Sequence, residues 1–154
     1  MTYDQPRHQH SPQALILFAH GSRDPDWARP LHGLRDAVAA LCPQLPVTLA
    51  FLEFMQPTLT QVIAQLARER GASESGASSQ PLQPSQPLRP SQPLRQLRLV
   101  PLFLAQGNHT RRDLAALIAQ AQQDHAGLQI EVLPALGEVP AVMQALAQWI
   151  ASIK

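Results

Sequence analysis

Short apolar runs alternate along this chain with stretches whose apolar residues recur every three or four positions. Residues 14–19, Ala-Leu-Ile-Leu-Phe-Ala, are continuously apolar and stop at His20-Gly21-Ser22. A run of this length bounded by glycine predicts a strand buried on both faces. Asp24-Pro25-Asp26 is a helix-start pattern, with Asp as cap and Pro in the first turn. Trp27, Leu31, Leu34, Val38 and Leu41 then keep helical spacing, which predicts an amphipathic helix over residues 26–41. Residues 47–52 form a second apolar run ending at Glu53. Pro57 opens a second helix with Leu59, Val62, Ile63 and Leu66 on one face, closing near Gly71.

The alternation continues through the second half. Residues 97–104 predict a third strand, although Pro101 is unusual inside a buried one. Thr110-Arg111-Arg112-Asp113 has the capping-box pattern, and Leu114, Leu117, Ile118 and Ala121 line a third helix that ends near Gly127. Residues 128–133 predict a fourth strand, and Pro140 opens a last helix with Met143, Leu146 and Ile150 inward. Four strands alternating with four helices predict a three-layer α/β fold. Its four-stranded parallel sheet has helices on both faces and right-handed crossovers. The common strand order for four such units is 2-1-3-4, which sets strands one and three side by side.

Composition narrows the class. The 154 residues suffice for one core, and a net charge of +1 gives no general attraction to nucleic acid or acidic membranes. The single cysteine, Cys42, excludes an intramolecular disulfide framework, a Cys-rich zinc site and a four-Cys cluster within one chain. No apolar run approaches the ~20 residues of a membrane span, and the first dozen residues lack a secretory signal. The expectation is a cytoplasmic domain. Residues 1–13 read as a disordered arm in which His8 and His10 form an HxH pair, a loose metal binder or simply a mobile tail. Residues 14–154 read as one domain. Five of the 15 prolines fall in a low-complexity stretch, residues 72–95, where Gln-Pro-Leu recurs from Gln80, Gln86 and Gln92. Such a stretch cannot build a core and reads as a flexible insertion, or as a docking motif for a partner.

In an open parallel sheet, ligands bind beyond the carboxyl ends of the strands, where the connections diverge. The loops there are His20-Gly21-Ser22-Arg23 and Ala105-Gln106-Gly107-Asn108-His109. Each holds one histidine, and each a glycine that lets backbone approach a ligand. Glu53 lies one strand further along the same rim. Two imidazoles and a carboxylate suit a divalent ion such as cobalt, iron, nickel or zinc, and equally suit proton transfer near neutral pH. Arg23, Arg111 and Arg112 stand near helix starts, where backbone N–H groups also favour anions, and suit a polycarboxylate or a phosphate. Ser22 has no G-x-S-x-G elbow around it. His32 and His125 read as structural or exposed, and Cys42 as a small apolar residue. No P-loop or G-x-G-x-x-G is present, so no nucleotide is implied.

Three blocks carry a resemblance. Leu15-Ile-Leu-Phe-Ala-His20-Gly-Ser-Arg23 with Asp24, Ala50-Phe-Leu-Glu53 followed by Pro57-Thr-Leu, and Val100-Pro-Leu-Phe-Leu-Ala-Gln-Gly-Asn-His109 with Asp113 occur in order. They resemble the small CbiX-type sirohydrochlorin cobaltochelatases and the related ferrochelatases. The resemblance implies a chelatase-like fold and ATP-independent insertion of Co²⁺ or Fe²⁺, with Ni²⁺ a third ion to consider, into the polycarboxylate tetrapyrrole sirohydrochlorin, in cobalamin or siroheme biosynthesis. It implies His20 and His109 as metal ligands and, with Glu53, as proton-handling catalytic residues. Ser22, Arg23, Gly107, Asn108, Arg111 and Arg112 are expected to bind substrate, and the short length implies a homodimer. Two other readings stay open: a non-catalytic tetrapyrrole or metal carrier of the same fold, and a histidine-dependent phosphohydrolase. Against the latter, Ala19 and Gly21 flank His20 where such chemistry usually wants an arginine beside the histidine.

Overall fold

In the computed structural model, described for residues 12–71 and 93–153, the apolar runs become strands and the periodic stretches become helices. The order is β1 (Ala14–Ala19), a 3-10 turn (Pro25–Ala28), α1 (Arg29–Leu41), β2 (Val47–Phe51), α2 (Leu59–Gly71), β3 (Gln96–Pro101), α3 (Asn108–Asp124), β4 (Gln129–Val132), a second 3-10 turn (Leu136–Glu138) and α4 (Pro140–Ser152). The sheet runs β2-β1-β3-β4, all parallel, as the alternation predicts. β1 is central because its side chains are apolar on both faces. Ile16 and Phe18 point into a core built with α2 and α3, and Leu17 and Ala19 into a smaller one with the start of α1. Phe18 meets Phe103 edge to face with ring centroids 6.0 Å apart. No helix of the described residues is long and apolar enough to cross a membrane.

Pro101 closes β3 without breaking the sheet. The Leu99 carbonyl accepts from Leu133 N–H on the β4 side, so Pro101, two residues on, turns its missing donor to that side, beyond the last β3–β4 pair, Leu99–Val132. Leu102 instead donates to the Phe18 carbonyl at 2.7 Å and keeps the end of β3 tied to β1.

Several expectations are corrected. The first helix is two elements: Asp24 caps the 3-10 turn by accepting from Asp26 N–H at 3.0 Å, and the α-helix begins at Arg29. Its apolar stripe is only partly covered, with Leu31 packed against the smaller core. Trp27, Leu34 and Leu41 are exposed, and α1 buries no side chain. In α4, Met143 and Ile150 are likewise exposed rather than inward. Thr110 caps nothing, because α3 already starts at Asn108 with Gly107 as its N-cap. The working capping box is Thr58-Leu-Thr-Gln61. Thr58 N–H donates to Gln61 Oε1 at 2.9 Å and Gln61 N–H to Thr58 Oγ1 at 3.4 Å.

Two boundaries also move. Gln13, expected in the arm, is fixed: its side-chain oxygen accepts from Arg95 N–H at 2.6 Å and Gln96 N–H at 3.2 Å, and its carbonyl accepts from Arg70 at 2.8 Å. Leu94, expected in the insertion, is buried in the larger core. The HxH pair and residues 72–92 of the insertion lie outside the described residues.

Because Thr58 caps and Thr110 does not, Thr58→Ala should cost about 1 kcal/mol of stability in urea denaturation, and Thr110→Ala within about 0.5 kcal/mol of nothing.

Candidate active site at the carboxyl edge of the sheet

Parallel pairing between β1 and β2 does not stop where the strands do. Leu52 N–H donates to the Ala19 carbonyl at 2.9 Å, and Glu53 N–H to the His20 carbonyl at 3.0 Å. The two loops therefore leave the sheet side by side. Gly21 makes this approach possible. Its φ is +94°, and a Cβ there would overlap the Glu53 carbonyl oxygen. The result is a contact between side chains 33 positions apart in sequence: His20 Nε2 lies 3.2 Å from Glu53 Oε1, with the two side chains 50% and 45% exposed. Both reach solvent while their backbones are pinned.

β3 is the other neighbour of β1. Its exit loop leads into α3, whose first two residues are Asn108 and His109. His20 and His109 thus stand on the same edge of the sheet, as strand order 2-1-3-4 requires, and His109 is exposed. No side chain caps α3, so first-turn N–H groups lie free of side-chain partners beside Arg111 and Arg112. A second tight glycine, Gly137, braces this side: a Cβ would overlap the Leu104 carbonyl oxygen, and Gly137 N–H donates to Phe103 at 3.1 Å. It delivers Glu138 to Arg111, 2.8 Å between Arg111 Nη2 and Glu138 Oε1.

The remaining predicted residues divide. Ser22 Oγ is engaged locally, accepting from Asp24 N–H at 3.1 Å. The Arg23 guanidinium lies 5.0 Å from the centre of the Phe54 ring. Gly107, Asn108 and Arg112 are exposed on the α3 side. His32 is exposed on α1, Cys42 is exposed at its C-cap, and His125 is the half-buried C-cap of α3. Among the described residues, no group of three or more His, Cys, Asp or Glu is gathered closely enough to hold a metal. The edge therefore offers imidazole and carboxylate in contact, a second imidazole on the neighbouring loop, and arginines around them. Residues of these types suit weak binding of a divalent ion and proton transfer near neutral pH. Phe54, Gly137 and Glu138 were missed from sequence; the one available signal was the Gly137-Glu138 pair in a strand-to-helix loop on the same edge.

A family model described as CbiX matches residues 14–74 and 89–153, which include both histidine loops. The chain is 29% identical over 113 residues to a sirohydrochlorin cobaltochelatase from Methanocaldococcus jannaschii, covering 73% of this chain and 63% of that protein. It is 26% identical over 115 residues to one from Methanococcus maripaludis, covering 75% and 64% respectively. The chain thus spans less than two thirds of the length of these relatives. Among solved structures, it is similar to a protein described as a cobalamin (vitamin B12) biosynthesis CbiX protein from Marinobacter aquaeolei VT8, with a TM-score of 0.66, 25% identity, and coverage of 91% of this chain and 95% of that one. SirB from Bacillus subtilis, solved with Fe3+, shares the fold at a TM-score of 0.63 and 19% identity, over 93% of this chain and 48% of SirB.

Gly21→Ala should cost about 2–4 kcal/mol, since both the left-handed backbone and the Glu53 carbonyl oppose a methyl group. Gly33→Ala, on an open face of α1 with no atom within 4 Å of the added carbon, should stabilise by about 0.5–1 kcal/mol. Thermal or denaturant unfolding of the two variants checks the contrast.

Proposed function

The chain belongs to the CbiX family, and from that premise we propose that it inserts a divalent metal ion, Co²⁺ or Fe²⁺, into sirohydrochlorin without nucleotide hydrolysis, in cobalamin or siroheme biosynthesis. The observation that carries the reading is the His20–Glu53 contact, 3.2 Å, on the edge that also presents His109. The names of the relatives support cobalt, and the iron in SirB supports iron as the second candidate.

The chemistry asks three things of the protein. It must receive a hydrated ion, remove two pyrrole protons, and hold a polyanionic ring still. Imidazole binds metal only when neutral. With Glu53 Oε1 beside Nε2, a proton held on Nε2 would leave the Nδ1 lone pair for the ion, the usual way a carboxylate orients a ligating histidine. His109 supplies the second imidazole from the neighbouring loop. As the ion enters the ring, two N–H protons leave for each M²⁺. Glu53 accepts them one after the other and, being half-exposed, passes each to water before the next. Arg23, Arg112 and the uncapped N–H groups of α3 hold the peripheral carboxylates, with Ser22, Gly107 and Asn108 lining the loops. Arg111 shares its charge with Glu138, so its hold on substrate is weaker than that of Arg112.

In this reading the enzyme is a homodimer. α1 and α4 bury no side chain in one copy, and α4 leaves Trp149, Ile150 and Ile153 at least 60% exposed. The chain matches about half of SirB, so a second copy would supply an area like SirB's other half.

An anaerobic insertion assay with Co²⁺, Fe²⁺ and Ni²⁺ in parallel tests the activity. Wild type should metallate sirohydrochlorin with at least one ion. His20→Ala and His109→Ala should each lose about a hundredfold or more, and Glu53→Gln about tenfold. Inactivity with all three ions, or wild-type rates in both histidine variants, would overturn the reading. Sedimentation should give twice the chain mass, and Trp149→Glu should shift it to one.

A further inference from the structure

Phe54 stands where neither folding nor solvation favours it. It is the one non-glycine residue with positive φ among the described residues, at +63°. Met55 N–H donates to the Glu53 carbonyl at 2.8 Å across it, closing a three-residue γ-turn of the rare, strained hand. A bulky side chain in this region of φ/ψ space costs energy, and the fold gains little in return, because the ring is 55% exposed. The loop around it is nonetheless tightly held. Glu53 N–H is tied to the His20 carbonyl, and Phe51 N–H to the Pro57 carbonyl at 2.9 Å. A strained, outward-turned aromatic on a fixed loop points to a ligand rather than to the fold.

Its neighbours say what kind of ligand. Phe54 directly follows Glu53, which touches His20, and the Arg23 guanidinium lies over its ring at 5.0 Å. An aromatic face recognises a flat conjugated surface. A guanidinium stacked upon it is pre-oriented and keeps its in-plane N–H donors free for a carboxylate. We propose that Phe54 and Arg23 form one stacked platform beside the His20–Glu53 pair, the ring packing against the plane of a carboxylated macrocycle while the guanidinium holds one of its peripheral carboxylates. This rests on the chelatase reading and adds Phe54 as a substrate-binding residue. The platform fixes the height of the macrocycle over His20 and leaves the ion to the imidazoles.

The test is a titration of metal-free sirohydrochlorin, followed by absorbance, against wild type, Phe54→Gly, Phe54→Tyr, Arg23→Gln and the Phe54→Gly/Arg23→Gln double variant. Glycine accepts positive φ without strain, so Phe54→Gly should unfold at or above the wild-type temperature while removing the aromatic face. It should bind the macrocycle about tenfold more weakly, and Phe54→Tyr within about twofold of wild type. The double variant should lose less than the product of the single losses, since either change dismantles the same stack. Co²⁺ binding in the absence of macrocycle should be unchanged in Phe54→Gly. If wild type binds the macrocycle and Phe54→Gly binds it equally, the platform alone is wrong. If Phe54→Gly instead dissociates the dimer, Phe54 is an interface residue and the inference falls. Failure of wild type to bind the macrocycle would remove the chelatase reading itself.

Discussion

The candidate site depends on one backbone contact, the seating of Gly21 against the carbonyl of Glu53. Parallel strands ordinarily part at their carboxyl ends, because each chain must turn into its own helix. Here Leu52 and Glu53, just past β2, donate in turn to the Ala19 and His20 carbonyls after the sheet has ended. Only a residue without Cβ leaves room for that, and the positive φ at Gly21 turns the chain away immediately afterwards. His20 and Glu53 consequently meet without either being buried. Their geometry is set by main chain, which is stiff, and their chemistry by side chains in contact with water, which can exchange protons and ions. The same device recurs across the edge, where Gly137 sits on the Leu104 carbonyl and brings Glu138 to Arg111.

The described side chains divide accordingly. No polar or charged residue among them is buried. The ion pairs, Arg98–Glu131 included, sit at or near the surface, where such pairs contribute between nothing and about 1 kcal/mol each. Stability then comes from two apolar clusters on either face of β1, and the candidate residues His20, Glu53 and His109 lie outside both. Substitutions of His20, His109 or the rim arginines should therefore be read as changes in chemistry rather than in folding.

How far the sequence reached follows from what each signal encodes. Strands buried on both faces announce themselves as unbroken apolar runs, so β1 and β2 were legible nearly to the residue, and strand order placed the His20 and His109 loops on one edge. Helix periodicity reports an apolar stripe but not what covers it. Leu34, Leu41 and Ile150 were expected inward for that reason and are exposed. The capping pattern was found at Thr110 and missed at Thr58 because T-x-x-D and T-x-x-Q look alike until the start of the helix is known; Gly107, three residues earlier, moved the start of α3. Pro101 seemed to argue against a strand, yet it needs only an unpaired direction, and the short β4 provides one. The Phe54 turn left no sequence signal, since positive φ is ordinarily written with Gly or Asn and here is imposed on an aromatic by the contacts on either side.

An ion that is cargo makes different demands from an ion that is a cofactor. A resident metal is held by three or four ligands at fixed geometry, and the binding energy becomes folding energy. A transferred metal must leave for a ring that offers four nitrogens, so the protein should hold it just well enough to strip its water and no better. In the proposed reading, a histidine beside a carboxylate, together with a second imidazole on the next loop, would be a hold of that kind. His20 and Glu53 are half-exposed and His109 is exposed, which in the proposed reading would leave the ion a way in and the protons a way out. Strengthening the hold by adding a thiolate or a third imidazole near His20 would be expected to raise metal affinity and slow insertion together, since what is gained by the bound ion before transfer must be given up during it.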